Sequence, residues 1–239
     1  TQMQELMRAQ REAENANKAK SDFLSSMSHD IRTPMNAIVG MTAIATANID
    51  NKQQLQNCLS KIALSSKHLL GLINDVLDMS KIESGKLNMN IDQISLREVM
   101  DSIVSIVQPQ VRAKKQTFNV SIHDISTENV CCDSVRLNQV LLNLLSNAVK
   151  YTPENGSIRI LVRVGEMYSE IRIQDTGRGI DPAHINDIFK RFSREKSVSQ
   201  EEGLGLGLYL ARYIITLQKG YIAVRSAPSG LLCAATTMV

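Results

Sequence analysis

The stretch SVRLNQVLLNLLSNAVKY, Ser134 to Tyr151, carries two patterns at once. Leu137, Val140, Leu141, Leu144, Leu145 and Ala148 recur at helical spacing and predict one buried face of an amphipathic helix. Along a flank of that helix, at spacings of four and three, lie Asn143, Asn147 and Lys150. Asparagine is a poor helix former, so two in register invite a reason. One reading is a solvated polar stripe. The other is that their amide oxygens reach a Mg²⁺ ion or its waters, because magnesium prefers hard oxygen ligands and keeps much of its shell for water and phosphate.

Beyond this helix, residues 157–164 and 168–174 alternate with a period of two and predict antiparallel strands joined near Gly165 and Glu166. The second strand runs into Asp175-Thr176-Gly177-Arg178-Gly179-Ile180. A carboxylate at a strand end can accept a hydrogen bond from an exocyclic amine such as that of adenine; equally, such a turn can do no more than close a loop. Polar residues 194–202 lead to Gly203-Leu204-Gly205-Leu206-Gly207-Leu208 and a helix through about Leu217. Alternating glycines at a helix start bare backbone N–H groups that bind phosphate, or else serve as a lid hinge. No Gly-Lys-Ser/Thr follows, so this is not a Walker loop. Upstream, a strand over 87–91, a helix over 95–115 and a strand over 118–122 open the same layer, and strands over 221–226 and 232–238 close it. An α/β two-layer sandwich is the predicted fold of this half.

The first 88 residues read differently. Up to about Ala47 the only glycine is Gly40 and the only proline Pro34, which predicts one long helix. Leu6, Ala9, Ala13, Ala16, Lys20, Phe23 and Met27 form a weak heptad seam, read as a linker coiled coil. The seam then shifts to Leu24, Met27, Ile31, Pro34, Ile38, Met41 and Ala45. After a polar turn at 48–52, Leu55, Leu59, Ile62, Leu69, Ile73 and Val76 begin a second stripe. The result is an antiparallel helical hairpin, and pairing with a second copy into a dimeric four-helix bundle would bury its remaining apolar stripe. Off the seam lies Ser28-His29-Asp30-Ile31-Arg32-Thr33-Pro34. It puts a histidine, a carboxylate and a hydroxyl on one exposed turn, with Pro34 predicting a local bend.

Composition limits the alternatives. Hydrophobic residues make up 43% of the 239, and 27 basic residues against 24 acidic ones leave a net charge of +3. No long block of one sign implies nucleic acid or an anionic membrane. No apolar run has the length of a membrane span and no signal-peptide layout is present, so any membrane attachment is expected through segments outside this chain. Cys58, Cys131, Cys132 and Cys233 lack metal-ligand spacing and read as reduced, mostly buried thiols, which favours a cytoplasmic location. His68, His123 and His184 fall outside every motif and read as surface or packing histidines.

In this order the motifs resemble those of the two-component sensor histidine kinases, over nearly the whole chain from about Ala19. SHDIRTP resembles the phosphoacceptor box, NQVLLNLLSNAVKYTPENG the asparagine box, DTGRGI and GLGLGL the glycine boxes, and FKRF the phenylalanine box. The resemblance implies a multidomain α and α+β architecture. A linker helix (1–20) and a dimerisation and phosphotransfer hairpin (21–88) would precede a Bergerat-type ATP-binding domain (89–239), a fold shared with gyrase and heat-shock chaperone ATPases. It further implies a homodimer using ATP and Mg²⁺, with a response regulator receiver domain as partner. By position, His29 would take the γ-phosphate and Asp30 would orient it. Asn147 would bind the metal, with Asn143 supporting it. Lys150 and Tyr151 would lie by the phosphates, Asp175 would read adenine, and Gly177 and Gly179 would shape the pocket. Gly203, Gly205 and Gly207 would hold the phosphate loop, and Arg194 would be the lid arginine near the γ-phosphate. Thr33 would orient water in a phosphatase reaction on the regulator.

Some positions depart from the commoner pattern: Asp30 stands where glutamate is frequent, Leu204 where a small or hydroxyl residue is usual, and Cys131-Cys132 where a glycine is frequent before Asp133. Two other classes compete: a nucleotide-binding scaffold without transfer, and a conformational ATPase of the gyrase or chaperone sort, which would need no His29.

Overall fold

The computed structural model describes residues 2–123, 129–165, 168–193, 205–226 and 232–238. The chain forms two compact units, one built on Thr1–Ser84 and the other on Gly85–Glu195 and Gly207–Val239.

The first unit is a helical hairpin. Helix α1 spans Gln2–Ala47 and α2 spans Lys52–Glu83. The reversal is short because Asn51 caps α2, its side chain accepting from the Gln54 N–H at 3.1 Å. Pro34, Ala45, Cys58, Leu72, Met79 and Ile82 are buried in the single chain. The predicted stripe of α2 is therefore corrected: Leu59 and Ile73 are exposed, with Leu64, Leu70 and Leu77. A two-helix hairpin can cover only one stripe of α2, and this helix carries two. Of the linker seam, Leu6 is exposed, while the side chains of Ala9, Ala13, Ala16, Lys20 and Phe23 lie outside the described residues.

The second unit is an α/β layer. Five strands run in the order β2–β4–β5–β7–β6: β2 (Thr117–His123), β4 (Ser157–Val164), β5 (Ser169–Asp175), β6 (Tyr221–Ser226) and β7 (Leu232–Met238). The β2–β4 pair is parallel and the others antiparallel, so β7 is flanked by β5 and β6. Strands β4 and β5 alternate buried and less buried positions, and they present Ile160, Val162, Ile171 and Ile173 to the core. Helices α3 (Leu96–Ala113), α4 (Ser134–Tyr151) and α5 (Gly207–Leu217) supply the other wall through Ile103, Leu137, Leu141, Leu145, Leu210 and Ile214, all essentially inaccessible. Ser95 caps the start of α3, its hydroxyl accepting from the Glu98 N–H at 3.4 Å.

The strand expected over 87–91 is absent. Extended pairing begins only at β1 (Asp92–Ser95), which makes a separate two-stranded sheet with β3 (Asn129–Cys132), a strand not anticipated from the sequence. Asn90 explains the delay, because its N–H donates to the Asp133 carboxylate at 2.8 Å instead of to a strand. Cys58 and Cys132 are buried as expected, but Cys131 points outward, as alternation along β3 requires; the Cys233 side chain lies outside the described residues. Burial, with Asp133 and Cys131 adding to it, pushes the Cys132 thiol up to about 11. His68, His123 and His184 are all exposed. No described helix is long and apolar enough to cross a membrane.

Candidate functional site

The histidine turn sits on the exposed side of α1. His29 is 77% exposed, whereas its neighbour Asp30 is only 11% exposed. His29 Nδ1 lies 3.4 Å from Asp30 Oδ1, at the long end of hydrogen bonding. The second carboxylate oxygen, Oδ2, is buried and has no partner among the described residues. The Thr33 hydroxyl donates to the His29 carbonyl at 3.2 Å. Pro34 lies inside the helix and cannot supply the N–H that the Asp30 carbonyl would normally receive. Backbone and side chains around His29 are thus bonded unevenly, and the ring itself is left to solvent.

Asn143, Asn147, Lys150, Tyr151, Asp175, Gly177, Gly179 and Gly207 belong to the α/β unit. Asp133 caps α4, accepting from the Arg136 N–H at 3.0 Å, and fixes the helix that carries Asn143, Asn147, Lys150 and Tyr151. Asn143 donates from Nδ2 to the Gly207 carbonyl at 3.3 Å, joining α4 to the first residue of α5. A Cβ at Gly207 would sit 3.5 Å from the Asn143 amide carbon, so the two motifs are in van der Waals contact. One turn on, Asn147 is half-buried, and its side chain has no hydrogen-bond partner among the described residues.

At the end of β5, Asp175 is 2% exposed, and its Oδ1 accepts the Gly177 N–H at 2.8 Å. A Cβ at Gly177 would meet that oxygen at 2.7 Å and the Tyr151 carbonyl oxygen at 2.8 Å, closer than real side chains come. Only glycine fits between Asp175 and the end of α4. Gly179 has φ of +71°, the left-handed region that favours glycine, and the next N–H, of Ile180, donates to the Ser226 hydroxyl at 2.7 Å. Thr176 ties the same turn to β4, its hydroxyl accepting from the Ser157 N–H at 2.8 Å.

Positive charge collects beside this turn. Lys150 Nζ lies 5.3 Å from the centre of the Tyr151 ring and the Arg178 guanidinium 4.8 Å from it. Arg178 was not singled out from sequence; its signal was a basic residue between two glycines of the turn. Phe189 and Arg191 of the predicted aromatic run are held to α5 by Arg212 over Phe189 and by Arg191 over Tyr209, at 5.6 and 4.9 Å. Gly205 has φ of +67°. Arg194, Gly203 and Leu204 lie outside the described residues.

The structure brings Asn143 against Gly207 and, about two turns further along α4, Tyr151 against the Asp175–Gly177 turn, with Asn147 and Lys150 on the helix between the two contacts. The donor set suits magnesium: a half-buried amide oxygen that no neighbour among the described residues uses, on a helix adjoining a glycine-opened helix start. A buried carboxylate beside glycines that admit close approach suits an amine-bearing ring.

Comparison with known proteins agrees with this division. Residues 19–85 match the family described as the His Kinase A (phospho-acceptor) domain, and residues 132–237 match the histidine kinase-, DNA gyrase B- and HSP90-like ATPase family. The autoinducer 2 sensor kinase/phosphatase LuxQ of Vibrio harveyi is 36% identical over 93% of this chain and 26% of its own length. The sensor histidine kinase GacS of Pseudomonas protegens is 37% identical over 94% of this chain and 25% of its own. The chain therefore spans about a quarter of the length of these relatives. Among solved structures, histidine kinase ThkA in complex with response regulator protein TrrA aligns with a TM-score of 0.62 at 20% identity, covering 97% of this chain and 65% of that one. That last likeness is one of fold.

Proposed function

We propose, on the premise that this chain belongs to the two-component sensor histidine kinases and is their catalytic core, that it is an ATP-dependent histidine autokinase. In this reading it passes the phosphoryl group from His29 to an aspartate of a response regulator's receiver domain. Residues 1–20 act as a linker helix, 21–88 as the dimerisation and phosphotransfer hairpin, and 89–239 as the ATP-binding domain. The protein works as a homodimer on the cytoplasmic side, where ATP is available; the exposed Leu64, Leu70, Ile73 and Leu77 of α2 supply the apolar stripe a second copy would cover.

The observation that carries this reading is His29: an imidazole 77% exposed, with a mostly covered carboxylate at Nδ1. A proton kept on Nδ1 by Asp30 leaves the Nε2 lone pair facing solvent. Nε2 then forms the N–P bond as the bond from the γ-phosphorus to the bridging oxygen breaks, and the electron pair leaves with ADP. The extra proton on the ring passes to Asp30 or water. Asp175 would accept from the adenine amine, and Lys150 would lie by the phosphates. Arg194 would offset charge on the transferring group, and the N–H groups after Gly203, Gly205 and Gly207 would face the phosphates. Asn147, supported by Asn143, would hold Mg²⁺, whose charge would offset that of the phosphates.

LuxQ is named a sensor kinase/phosphatase, and the reverse activity has a candidate here in Thr33. With its proton donated to the His29 carbonyl, the Thr33 oxygen keeps its lone pairs and can accept from a water aimed at the regulator's phosphoaspartate.

The test is incubation with γ-labelled ATP and Mg²⁺. Acid-labile, alkali-stable label should appear on the chain and vanish in His29→Gln. Label that persists in that variant would overturn the site. ATP binding without label would indicate a scaffold, and hydrolysis without label a conformational ATPase.

A further inference from the structure

We infer that Lys114 and Gln116 are positioning residues for the nucleotide pocket, acting through the last turn of α4 without touching the nucleotide; the inference rests on the nucleotide-binding role proposed above. Helix α4 ends with an unusual deficit. The Thr152 N–H bonds the Ala148 carbonyl, but the next carbonyl, of Val149, would need the N–H of residue 153, which is proline and has none. Two side chains from a segment more than thirty residues earlier fill the gap. Lys114 Nζ donates to the carbonyls of Val149, Lys150 and Thr152 at 2.8, 2.9 and 3.2 Å. Gln116 Nε2 donates to those of Val149, Thr152 and Pro153 at 3.2, 2.7 and 3.3 Å.

The backbone is laced in the same way. The Asn155 N–H donates to the Lys114 carbonyl at 3.2 Å, and the Thr117 N–H to the Gly156 carbonyl at 2.8 Å. Lys115 and Asn155 both take positive φ, +53° and +62°, which lets the two turns face each other. An ammonium with three N–H bonds matched to three carbonyls at a helix C-terminus also meets the negative end of the helix dipole. Among the described residues Lys114 pairs with no carboxylate, so its charge is directed at the end of α4.

That end carries two residues of the proposed pocket. Lys150 contributes one of the clamped carbonyls, and the Tyr151 carbonyl packs against Gly177 beside Asp175. Moving the last turn of α4 would therefore change the spacing between Lys150 and Tyr151 on one side and the Asp175 turn on the other. Lys114 and Gln116 fix that spacing.

The experiment uses the whole 239-residue chain with Mg·ADP as probe, measured by titration calorimetry, alongside circular dichroism and thermal melting. Lys114→Met should weaken ADP binding by about tenfold and raise the KM for ATP similarly, with kcat within about twofold of the parent. Lys114→Arg, which keeps the charge, should recover most of the affinity. Gln116→Met loses the two N–H donors shared among three carbonyls but also removes Oε1, which is buried without a partner among the described residues, so its stability cost is partly offset while affinity still falls by several-fold. Should Lys114→Met fail to fold, Lys114→Arg and Gln116→Met decide the matter. Folded variants that melt lower yet bind ADP within about twofold of the parent would overturn the proposal by showing a purely structural role. A parent chain that binds no ADP would instead overturn the nucleotide reading itself, and this inference with it.

Discussion

The carbonyl oxygen of Tyr151 stands so close to Gly177 that a Cβ there would approach it to 2.8 Å, while the Asp175 carboxylate closes the other side at 2.7 Å. Two segments distant in sequence, the end of α4 and the 175–177 turn, are thus locked by the absence of one methyl group. Gly177→Ala should force the turn away from α4, destabilising the α/β unit by about 1–3 kcal/mol and weakening ADP binding by at least about tenfold. Calorimetric titration and thermal melting read the two effects separately.

Asp30→Asn removes the carboxylate that fixes the His29 tautomer, leaving an amide of nearly the same shape. Autophosphorylation should slow by about 10²–10⁴-fold, the usual range for loss of an acid–base group, with ADP affinity unchanged. Rapid-quench labelling together with ADP titration would check this. Equal losses in both would move Asp30 from chemistry to folding.

Thr33→Ala deletes a hydroxyl bonded to the carbonyl four residues back, which helices tolerate losing; alanine's higher propensity offsets the lost bond to within about 0.5 kcal/mol. Autophosphorylation should stay within about threefold of the parent, while dephosphorylation of a phosphorylated receiver domain falls by about tenfold or more. Phosphate-release assays on that receiver would measure it.

Asp75 in α2 is pushed up from 3.8 to about 6, first by burial and second by the charge of Asp78. An acid whose folded pKa exceeds its unfolded one binds more protons when folded, so its ionisation opposes folding as pH rises through 4–6. The hairpin should gain stability when pH is lowered from 7 towards 5. Asp75→Asn should stabilise it at pH 7 by about 1–2 kcal/mol and have no such benefit near pH 4. Thermal melts at the two pH values test the sign.

How much of this could be read beforehand depends on distance along the chain. The helix 134–151 and the strands 157–164 and 168–174 were legible because their periodicities are local and strong. So was the hairpin reversal, from the polar stretch 48–52, though not the capping role of Asn51 within it. Strand β3 was not, since four residues bear no reliable period and its partner β1 begins only where Asn90 releases the chain. Which stripe of α2 faces α1 depends on packing, and Leu59 and Leu72 look alike in sequence. The clustering of Asn143 with Gly207, or of Gly177 with Tyr151, was reachable only through likeness to a family. The clamp by Lys114 was not reachable at all, for nothing in a lysine foretells three carbonyls thirty-five residues away.

Exposed apolar side chains on α2 predict association. The parent chain should sediment as a dimer at micromolar concentration. Leu70→Glu with Leu77→Glu, two turns apart on one exposed stripe, should yield monomers whose hairpin remains helical. Analytical ultracentrifugation with circular dichroism separates dissociation from unfolding.

The position of β7 between β5 and β6 sets when the sheet can be completed during synthesis. During synthesis β5 and β6 emerge first, and each shows an unpaired backbone edge until residues 232–238 follow. At about 5–20 residues per second, the interval after β5 lasts several seconds, long enough for misplaced strand pairing with other nascent chains. Of the strands of this sheet, the latest in sequence is the one that joins β5 to β6. Substitutions that weaken β7 should therefore reduce the yield of soluble protein far more than they reduce the activity of the molecules that do fold.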